Sequence, residues 1–551
     1  MINKWKVFDS IITGIRSNAA LRPINWHSQL SSCWRRFDWK YSKMDGESDT
    51  TASIVDGVRM RLMDDWKILQ HVFKLVQREE TLCADPQQWQ QQKIVDFMQP
   101  DELKKHINLT IKEKETSTLS DIELICQQVI KYSVKTSHGR FHNQLFGQMD
   151  PFGLAGAWLT EALNTSSYTF EVAPVFSLIE TEVISAVCRL AGYSHGDGIF
   201  APGGSSSNMY GLVLARYKRI PTVKSSGMFG IRPLVIFTSE DSHYSLKKAA
   251  HWLGIGADNC IAVRTNAKGQ MALDDLEEKI KAAKKCGRDP FFINATAGTT
   301  VLGAFDNLDG IADVAQRYGL WMHVDACLGG AALLAYKHRS LLKGLQRANS
   351  FAWNPHKTLG VPLQCSLFLT SESDLLARCN SIEVNYLFQQ DKFYDVSYDS
   401  GNKSIQCGRK IDAFKFWLML KARGYGQYGH LVDHAIEMAR LLEQKLRARP
   451  DRFRLVLDQH EYSNVCFWYI PKSMRVQSSE ENDDWWAHLY TIAPKIKEQM
   501  AYKGTLMVGY SPLSSRQLGN FFRMVFTCFP VLQAEELDIM LDEIERLGEL
   551  C

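Results

Sequence analysis

Hydrophobic residues recur every three or four positions in the segment 58–137. The series begins with Val58, Leu62 and Trp66 and continues through Val72 and Val76. This spacing places the apolar side chains on one face of an α-helix. We therefore predict amphipathic helices that pack as an N-terminal arm.

Beyond Pro174 the pattern changes to short apolar runs, many of them β-branched or aromatic, that alternate with helical stretches. The predicted strands comprise residues 234–237, 260–263, 291–294, 320–324 and 351–353, with helices at 273–285 and 308–318 between several of them. Alternating strands and helices indicate a mostly parallel sheet that is covered on both faces. In such α/β folds ligands bind beyond the carboxyl ends of the strands, so chemistry is expected in the residues that follow each strand.

After Trp417 the pattern becomes irregular. Apparent strands at 465–470 and 521–526 precede a closing helix at 535–547, which predicts a second, smaller α+β domain. We therefore divide the chain into a basic extension and linker (1–57), a helical N-terminal domain (58–147), a large domain (148–416) and a small C-terminal domain (417–551).

Composition and charge narrow the functional classes. The 551 residues include 45% hydrophobic and 23% charged side chains, and the formal net charge is only +3. These values are typical of a globular protein without a broad basic field, so a small ligand is expected rather than nucleic acid or a membrane. The 13 cysteines form no C-x-x-C pair, which indicates reduced thiols in the cytoplasm and gives no support for a metal site.

The first 43 residues are the compositional exception, because their lysines and arginines are opposed only by Asp9 and Asp38. A solvated basic extension is the interpretation that we favour. A mitochondrial transit peptide is the alternative.

Two predicted strands are followed by residues that suit one kind of chemistry. Asn354-Pro355-His356-Lys357 places a lysine just past the strand 351–353, after an Asn-Pro break that ends regular pairing. Upstream, Asp325 ends the strand 320–324 with a carboxylate at the same edge of the sheet. Such a carboxylate could keep a pyridine nitrogen protonated, and a protonated ring withdraws the electron pair left when a bond at a substrate Cα breaks. Taken singly, Lys357 would be a solvated charge and Asp325 a helix N-cap.

A glycine and serine turn could supply an anion site. Pro202-Gly203-Gly204-Ser205 precedes a predicted helix, whose first backbone amides attract anions such as phosphate. His356 could complete the phosphate shell, and His243, which follows the strand 234–237, could stack on a flat aromatic cofactor. An ordinary loop and a helix-start histidine are the alternatives, and a metal site fits no familiar ligand spacing here.

Five motifs together resemble the group II pyridoxal 5'-phosphate (PLP) dependent decarboxylases. They are Asn354-Pro355-His356-Lys357, His323-Val324-Asp325-Ala326, Pro202-Gly203-Gly204-Ser205, Ser242-His243-Tyr244 and Phe521-Phe522-Arg523-Met524-Val525. Within that group the chain is similar to the glutamate, cysteine sulfinate and aspartate 1-decarboxylase branch, from about Val58 to the C-terminus. The resemblance implies the fold type I PLP-dependent transferase fold with a large seven-stranded sheet, and a homodimer with its active sites at the interface.

The resemblance also implies roles for the cofactor-site residues. Lys357 would carry PLP covalently, Asp325 would pair with the ring nitrogen, and His243 would stack on the ring. The phosphate would be held by Gly204, Ser205 and Ser206.

A mobile catalytic loop is implied as well. The segment Asn385-Tyr386-Leu387-Phe388-Gln389-Gln390-Asp391-Lys392 resembles this loop, whose tyrosine, here Tyr386, protonates the substrate carbanion. A simple amphipathic surface turn is the alternative.

Substrate selection is expected from two further elements. Gln144 and Arg523 resemble the residues that bind the distal acid group of the substrate. A guanidinium binds a carboxylate or sulfinate through two parallel hydrogen bonds and would be left unpaired by an aromatic side chain, so aromatic amino acids are not expected as substrates. A core ion pair is the alternative for Arg523.

The size of the substrate is expected to depend on Phe146. Glutamate decarboxylases typically carry a serine there, and a phenylalanine ring would shorten the pocket, while His142 adds a polar group. We expect L-aspartate, which yields β-alanine, as the first substrate and cysteine sulfinate, which yields hypotaurine for taurine biosynthesis, as the second. The alternatives are glutamate decarboxylation to 4-aminobutanoate and a catalytically silent dimeric homologue.

One departure from the family pattern stands beside Asp325. The family usually continues with Ala-Trp-Gly-Gly, whereas Cys327-Leu328-Gly329-Gly330 follows here. Packing beneath the cofactor, and with it specificity, is expected to differ.

Overall fold

The computed structural model describes residues 66–78, 89, 91–111, 117–382, 391–475 and 481–550. The chain separates into a unit of residues 1–67 and a unit of residues 68–551. Only Trp66 and Lys67 of the first unit are described, and both sheets below belong to the second.

The N-terminal part of the second unit is helical, as the spacing of its apolar residues predicts. The described helices are α1 (Lys67–Arg78), α2 (Pro100–His106) and α3 (Leu119–Tyr132). A capping box starts α3, because the Thr118 side chain accepts a hydrogen bond from the Asp121 amide while the Asp121 carboxylate accepts one from the Thr118 amide. This reciprocal pair satisfies two backbone donors that a helix start would otherwise leave free.

The main sheet has seven strands. They are β2 (Asp197–Phe200), β3 (Leu234–Ser239), β4 (Cys260–Val263), β5 (Asp289–Thr296), β6 (Trp321–Asp325), β7 (Ser350–Trp353) and β8 (Leu367–Thr370), and their order across the sheet is β2-β8-β7-β6-β5-β3-β4. From β7 to β4 all neighbours are parallel, whereas β8 runs antiparallel to both β7 and β2. The prediction of a mostly parallel sheet is confirmed, although it did not include β2 and β8.

Helices cover the main sheet on both faces. Those between Pro151 and Tyr318 are α4 (Pro151–Leu163), α5 (Pro174–Ala191), α6 (Gly204–Arg219), α7 (Val223–Ser226), α8 (Ser245–Trp252), α9 (Leu273–Lys285) and α10 (Leu308–Tyr318). Because both faces are covered, adjacent strand residues are buried alike, and every residue of β3, β5, β6 and β7 is buried.

A second sheet forms the C-terminal part of the molecule. Its strands are β1 (Phe141–His142), β9 (Phe453–Leu455), β10 (Asn464–Tyr469), β11 (Met507–Leu513) and β12 (Leu518–Val525), in the order β1-β11-β12-β10-β9. Helix α11 (Leu375–Asn380) packs against α6 and against β2 of the main sheet, and the helices that follow it are α12 (Asp412–Arg447), α13 (Asp483–Leu489), α14 (Ile492–Lys503) and α15 (Ala534–Gly548).

Two elements cross the predicted domain divisions. The short strand β1 pairs in parallel with β11, so a segment from the predicted N-terminal domain completes the C-terminal sheet. Helix α12 runs through residue 417 and kinks at Gly424, whose φ of 67° suits glycine. The divisions at 147 and 416 stay predictions. In the described ranges no helix combines the length and apolar character needed to cross a membrane.

Candidate cofactor site

The carboxyl ends of the central strands open into one cavity, as expected for a parallel sheet. Its volume is about 200 Å³. It is lined by Gly204, Ser205, Asn208, His243, Tyr244, Thr296, Gly298, Thr300, Asp325, Cys327, Leu328, Asn354 and Lys357. The structure therefore brings together five residues of the predicted cofactor site: Gly204, Ser205, His243, Asp325 and Lys357.

Asp325 is the buried acid of the cavity. It is the last residue of β6 and is only 6% exposed. Its Oδ2 accepts a hydrogen bond from Asn208 Nδ2 at 2.8 Å, and its Oδ1 accepts one from the Cys327 amide at 3.1 Å. Burial acts to raise the pKa of Asp325, but the Lys357 ammonium and these two donors outweigh it and hold the pKa below its usual value. The carboxylate therefore stays charged in a largely dry site.

Three buried residues, Ser350, His323 and Asn208, form a hydrogen-bonded chain that ends at Asp325. His323 Nε2 lies 3.1 Å from Asn208 Oδ1, and His323 Nδ1 lies 2.8 Å from Ser350 Oγ. Burial lowers the pKa of His323 to about 4, so the ring is neutral at pH 7. Since Asn208 donates to Asp325, its Oδ1 faces His323, and the Nε2 that meets this oxygen carries the ring proton. The contacts thus fix the orientation of the Asn208 amide.

The lysine and the histidine meet Asp325 in the cavity. Lys357 lies four residues past β7, where its amide donates to the Asn354 carbonyl at 3.0 Å. His243 Nδ1 accepts a hydrogen bond from the Ser245 amide at 3.3 Å, which leaves Nε2 to carry the proton of the neutral ring. Burial lowers the pKa of His243, and this effect exceeds the opposing one of the nearby Asp325 carboxylate. A neutral imidazole is a suitable surface for an aromatic ring.

The start of α6 supplies the anion site. Gly203 precedes the helix with a φ of 95°, which suits glycine, and no side chain caps the first turn. The backbone donors at this end therefore remain available to an anion. A Cβ on Gly204 would lie 2.5 Å from Cys327 Sγ and 2.7 Å from Asn354 Nδ2, so only glycine leaves this corner open.

Several predicted residues do not line the cavity. Ser206 directs its hydroxyl to the Pro202 carbonyl at 3.5 Å. The buried His356 ring places Nδ1 2.6 Å from the Cys365 carbonyl, and burial lowers its pKa to about 4. Tyr386 lies outside the described residues.

The residues predicted to select the substrate lie around the loop after β1. Gln144 is exposed and Phe146 is half-buried. His142 is only 4% exposed, and its ring nitrogens contact the Val525 and Gly139 carbonyls at 2.8 and 3.0 Å. The structure thus places His142 in the C-terminal core, with both ring nitrogens engaged, and a direct contact with substrate is not supported.

Arg523 is the predicted selector that approaches the cavity wall. It lies on β12, and its Nη1 donates to the Thr300 carbonyl at 3.2 Å, while its Nη2 donates to the Asn143 carbonyl at 3.0 Å. Thr300 lines the cavity. The alternative of a core ion pair is not supported, because the described residues offer Arg523 carbonyl oxygens and no carboxylate partner. Burial lowers the pKa of Arg523.

Sequence reasoning missed the amides and threonines of the wall. Asn208, Thr296, Thr300 and Asn354 line the cavity although no role was predicted for them. Asn354 begins one predicted motif and Asn208 lies three residues past another, so their positions at these motifs were the available signal. Thr296 is the last residue of β5 and Thr300 follows that strand, and neither belongs to a motif.

These residues fit a phosphorylated pyridine aldehyde. The amine of Lys357 could bond to the aldehyde carbon, the Asp325 carboxylate could face a protonated ring nitrogen, and the start of α6 could bind the phosphate. The open corner at Gly204 and the buried, charged Asp325 support this fit. The fold and the site define a PLP-dependent enzyme of the α/β class.

Comparisons with known proteins agree with this class. The model of the pyridoxal-dependent decarboxylase conserved domain matches residues 100–470. The chain is 48% identical over 484 residues to the acidic amino acid decarboxylase GADL1 of Bos taurus, and the aligned region covers 88% of this chain and 91% of that protein. It is 49% identical over 459 residues to the cysteine sulfinic acid decarboxylase of Homo sapiens, covering 83% and 92% of the two chains.

A solved structure shows the same fold. The crystal structure of mouse CSAD superposes with a TM-score of 0.83 at 45% identity and covers 89% of this chain and all of that one. The chain belongs to the pyridoxal-dependent decarboxylase family, and it is a PLP-dependent amino-acid decarboxylase.

Proposed function

We propose that this chain decarboxylates small acidic amino acids, with L-aspartate as the first substrate and cysteine sulfinate as the second. The observation that carries the proposal is Arg523, a half-buried guanidinium that donates to the carbonyl of the cavity-lining Thr300 and has only carbonyl partners in the described part of the chain. A carboxylate or sulfinate would give it a charge partner and two parallel hydrogen bonds.

The residues of the cavity have distinct proposed roles. When bound, PLP supplies an electron sink for the carbon–carboxylate bond that breaks. Lys357 would hold the cofactor through its amine, and the Asp325 carboxylate would keep the ring nitrogen protonated. His243 would pack against the ring, and Gly204 and Ser205 would hold the phosphate. Ser206 and His356 do not line the cavity, and we propose that they support this phosphate site indirectly. Tyr386 is proposed to return the proton to Cα.

The preference for a short substrate rests on Phe146. Its half-buried ring lies two residues past Gln144, in the segment that continues from Asn143, a partner of Arg523. A bulky ring there leaves less room than a serine, which favours a single methylene between Cα and the distal acid. The names of the relatives, acidic amino acid decarboxylase and cysteine sulfinic acid decarboxylase, support acidic substrates of this kind.

A homodimer is part of the proposal. Helices α4 and α5 expose large apolar side chains, among them Trp158 (45% exposed), Leu163 (54%) and Val175 (63%). An exposed apolar face of this kind is typical of a subunit interface. We also propose a cytoplasmic location, since the described cysteines are free thiols, with mitochondria as the alternative.

The experiment offers the purified protein aspartate, cysteine sulfinate and glutamate separately, with saturating PLP, and quantifies each amine product. We expect β-alanine and hypotaurine to exceed 4-aminobutanoate, and a preference for glutamate would contradict the pocket argument. Borohydride reduction followed by peptide mass mapping should find a pyridoxyl label on Lys357. Lys357→Ala should lose both label and turnover, whereas the exposed Lys343→Ala should keep both.

A further inference from the structure

A second cation lies close to Arg523 and has no assigned role. Lys497 lies on α14, is half-buried, and donates from Nζ to Asn143 Oδ1 at 2.5 Å. No carboxylate among the described residues perturbs its charge, and burial lowers its pKa to about 8. Its neighbour on the same helix, Lys495, is exposed. A lysine that is half-buried without a carboxylate partner needs an explanation, because burying an ammonium costs free energy.

Lys497 and Arg523 meet through one residue. Lys497 binds the side-chain oxygen of Asn143, and Arg523 Nη2 binds the main-chain oxygen of the same residue. The other guanidinium nitrogen, Nη1, binds the carbonyl of Thr300, which lines the cavity. Asn143 and Arg523 therefore link Lys497 to Thr300 of the cavity wall.

The backbone leaves room for this arrangement at Gly509. This residue pairs with Arg523 across β11 and β12. A Cβ on Gly509 would lie 2.8 Å from the Asn143 carbonyl oxygen and 3.5 Å from Arg523 Nη2. Any larger residue would therefore press on the contact that holds the guanidinium.

The charge of this region is uncompensated within the described chain. Arg523 Nε is buried without a hydrogen-bond partner, and its Nη contacts are to neutral carbonyls. Lys497 and Arg523, which share the neutral residue Asn143, form a cationic pair that is linked through Thr300 to the cavity of Asp325 and Lys357. An anionic group of a ligand would compensate the charge of this cationic pair.

We propose that Lys497 is a specificity-determining and positioning residue for acidic substrates. It fixes Asn143, and through Asn143 the Arg523 guanidinium, and its charge favours ligands with a second anionic group. This inference rests on the proposed function and assigns one further residue to its distal-acid subsite.

The test compares three variants of the full-length, PLP-loaded protein. Lys497→Met removes the hydrogen bond and the charge, Lys497→Gln keeps a donor for Asn143 but no charge, and Lys495→Met makes the same chemical change at an exposed position. We expect the KM for aspartate to rise about tenfold in Lys497→Met, since hydrogen bonds of charged groups are the stronger ones. The rise should be smaller in Lys497→Gln, because glutamine still offers a neutral donor to Asn143. The kcat should change less than twofold, and Lys495→Met should match the wild type.

Binding of succinate, measured by calorimetry, separates this inference from the proposed function. Succinate carries two carboxylates and no amine, so its affinity reports on the cationic pair of Lys497 and Arg523 without turnover. Lys497→Met should bind it about tenfold more weakly. Equal succinate affinity in the wild type and Lys497→Met would overturn the inference even if aspartate is a good substrate. Weak turnover of every acidic amino acid, with the expected loss of succinate binding, would overturn the proposed function alone.

A purely structural role predicts a different pattern. A loss of kcat with unchanged KM, together with a lower melting temperature and weaker PLP absorbance in Lys497→Met, would contradict the inference.

Discussion

Replacing Asn208 by leucine tests whether the hydrogen-bonded chain of Ser350, His323 and Asn208 that ends at Asp325 contributes to cofactor binding. Leucine has a similar size but cannot donate to Asp325 Oδ2, which now receives that hydrogen bond at 2.8 Å, and cannot accept from His323. A hydrogen bond to a charged acceptor contributes about 1.5–3 kcal/mol. Its loss raises the pKa of Asp325 and weakens the carboxylate as the partner of a cationic ring.

If most of that energy is expressed in the cofactor complex, Asn208→Leu should bind PLP about 10- to 100-fold more weakly, since about 1.4 kcal/mol corresponds to a factor of ten. The assay titrates the cofactor-free protein with PLP and follows the absorbance of the covalent adduct. Ser245→Ala is the matched control, because Ser245 Oγ is the other acceptor of the same amide, at 2.9 Å, and does not contact Asp325. A PLP affinity of Asn208→Leu within twofold of the wild type would refute the reasoning.

Three further changes have defined outcomes. Gly204→Ala places a Cβ 2.5 Å from Cys327 Sγ, so PLP should dissociate at least tenfold faster, as measured by the loss of its absorbance. An unchanged dissociation rate would contradict a phosphate site next to Gly204. Glu180→Gln leaves the buried Arg409 guanidinium without its anion, which should cost about 3–5 kcal/mol and appear as a lower melting temperature. Lys497→Met should be stabilised relative to the wild type most strongly below pH 8. Burial lowers the pKa of Lys497 from 10.5 to about 8, so between these values the unfolded chain binds more protons and wild-type stability rises with pH; a melting-temperature difference that does not shrink from pH 8 to 10 would contradict this.

The fold could be predicted where the signals are local. Helices α9 and α10 begin and end where the periodicity places them. Asn307 caps the start of α10 and Gly319 ends it. The strands β2 and β8 were not predicted, because they pair antiparallel with each other, and β8 with β7, and so lie outside the alternation of parallel strands and helices on which the prediction rests. Their identity depends on partners that are distant in the chain.

The same distinction applies to the site. Asp325 and Lys357 follow strands, and the order of parallel strands alone brings such residues to one edge of the sheet. The contact of Asn208 with His323 and Asp325 forms between α6 and β6, and no spacing along the chain encodes it. His142 shows the opposite failure, because its position next to Asn143 and Gln144 says nothing about which way its ring points, and the structure directs it to the Val525 carbonyl.

The charges around the cavity explain why a decarboxylase would tolerate poorly compensated cations. Asp325 is stabilised by Lys357 and by two donors before any ligand binds, so its charge is compensated in the free protein. Lys497 and Arg523 have only neutral oxygens as described partners, and burial lowers the pKa of both. Their desolvation therefore reduces the stability of the free protein and is offset only when an anion enters. A substrate with one carboxylate loses that group to the reaction, so only a second acid group can remain on these cations throughout turnover, and this is the physical reason to expect selectivity for acidic amino acids.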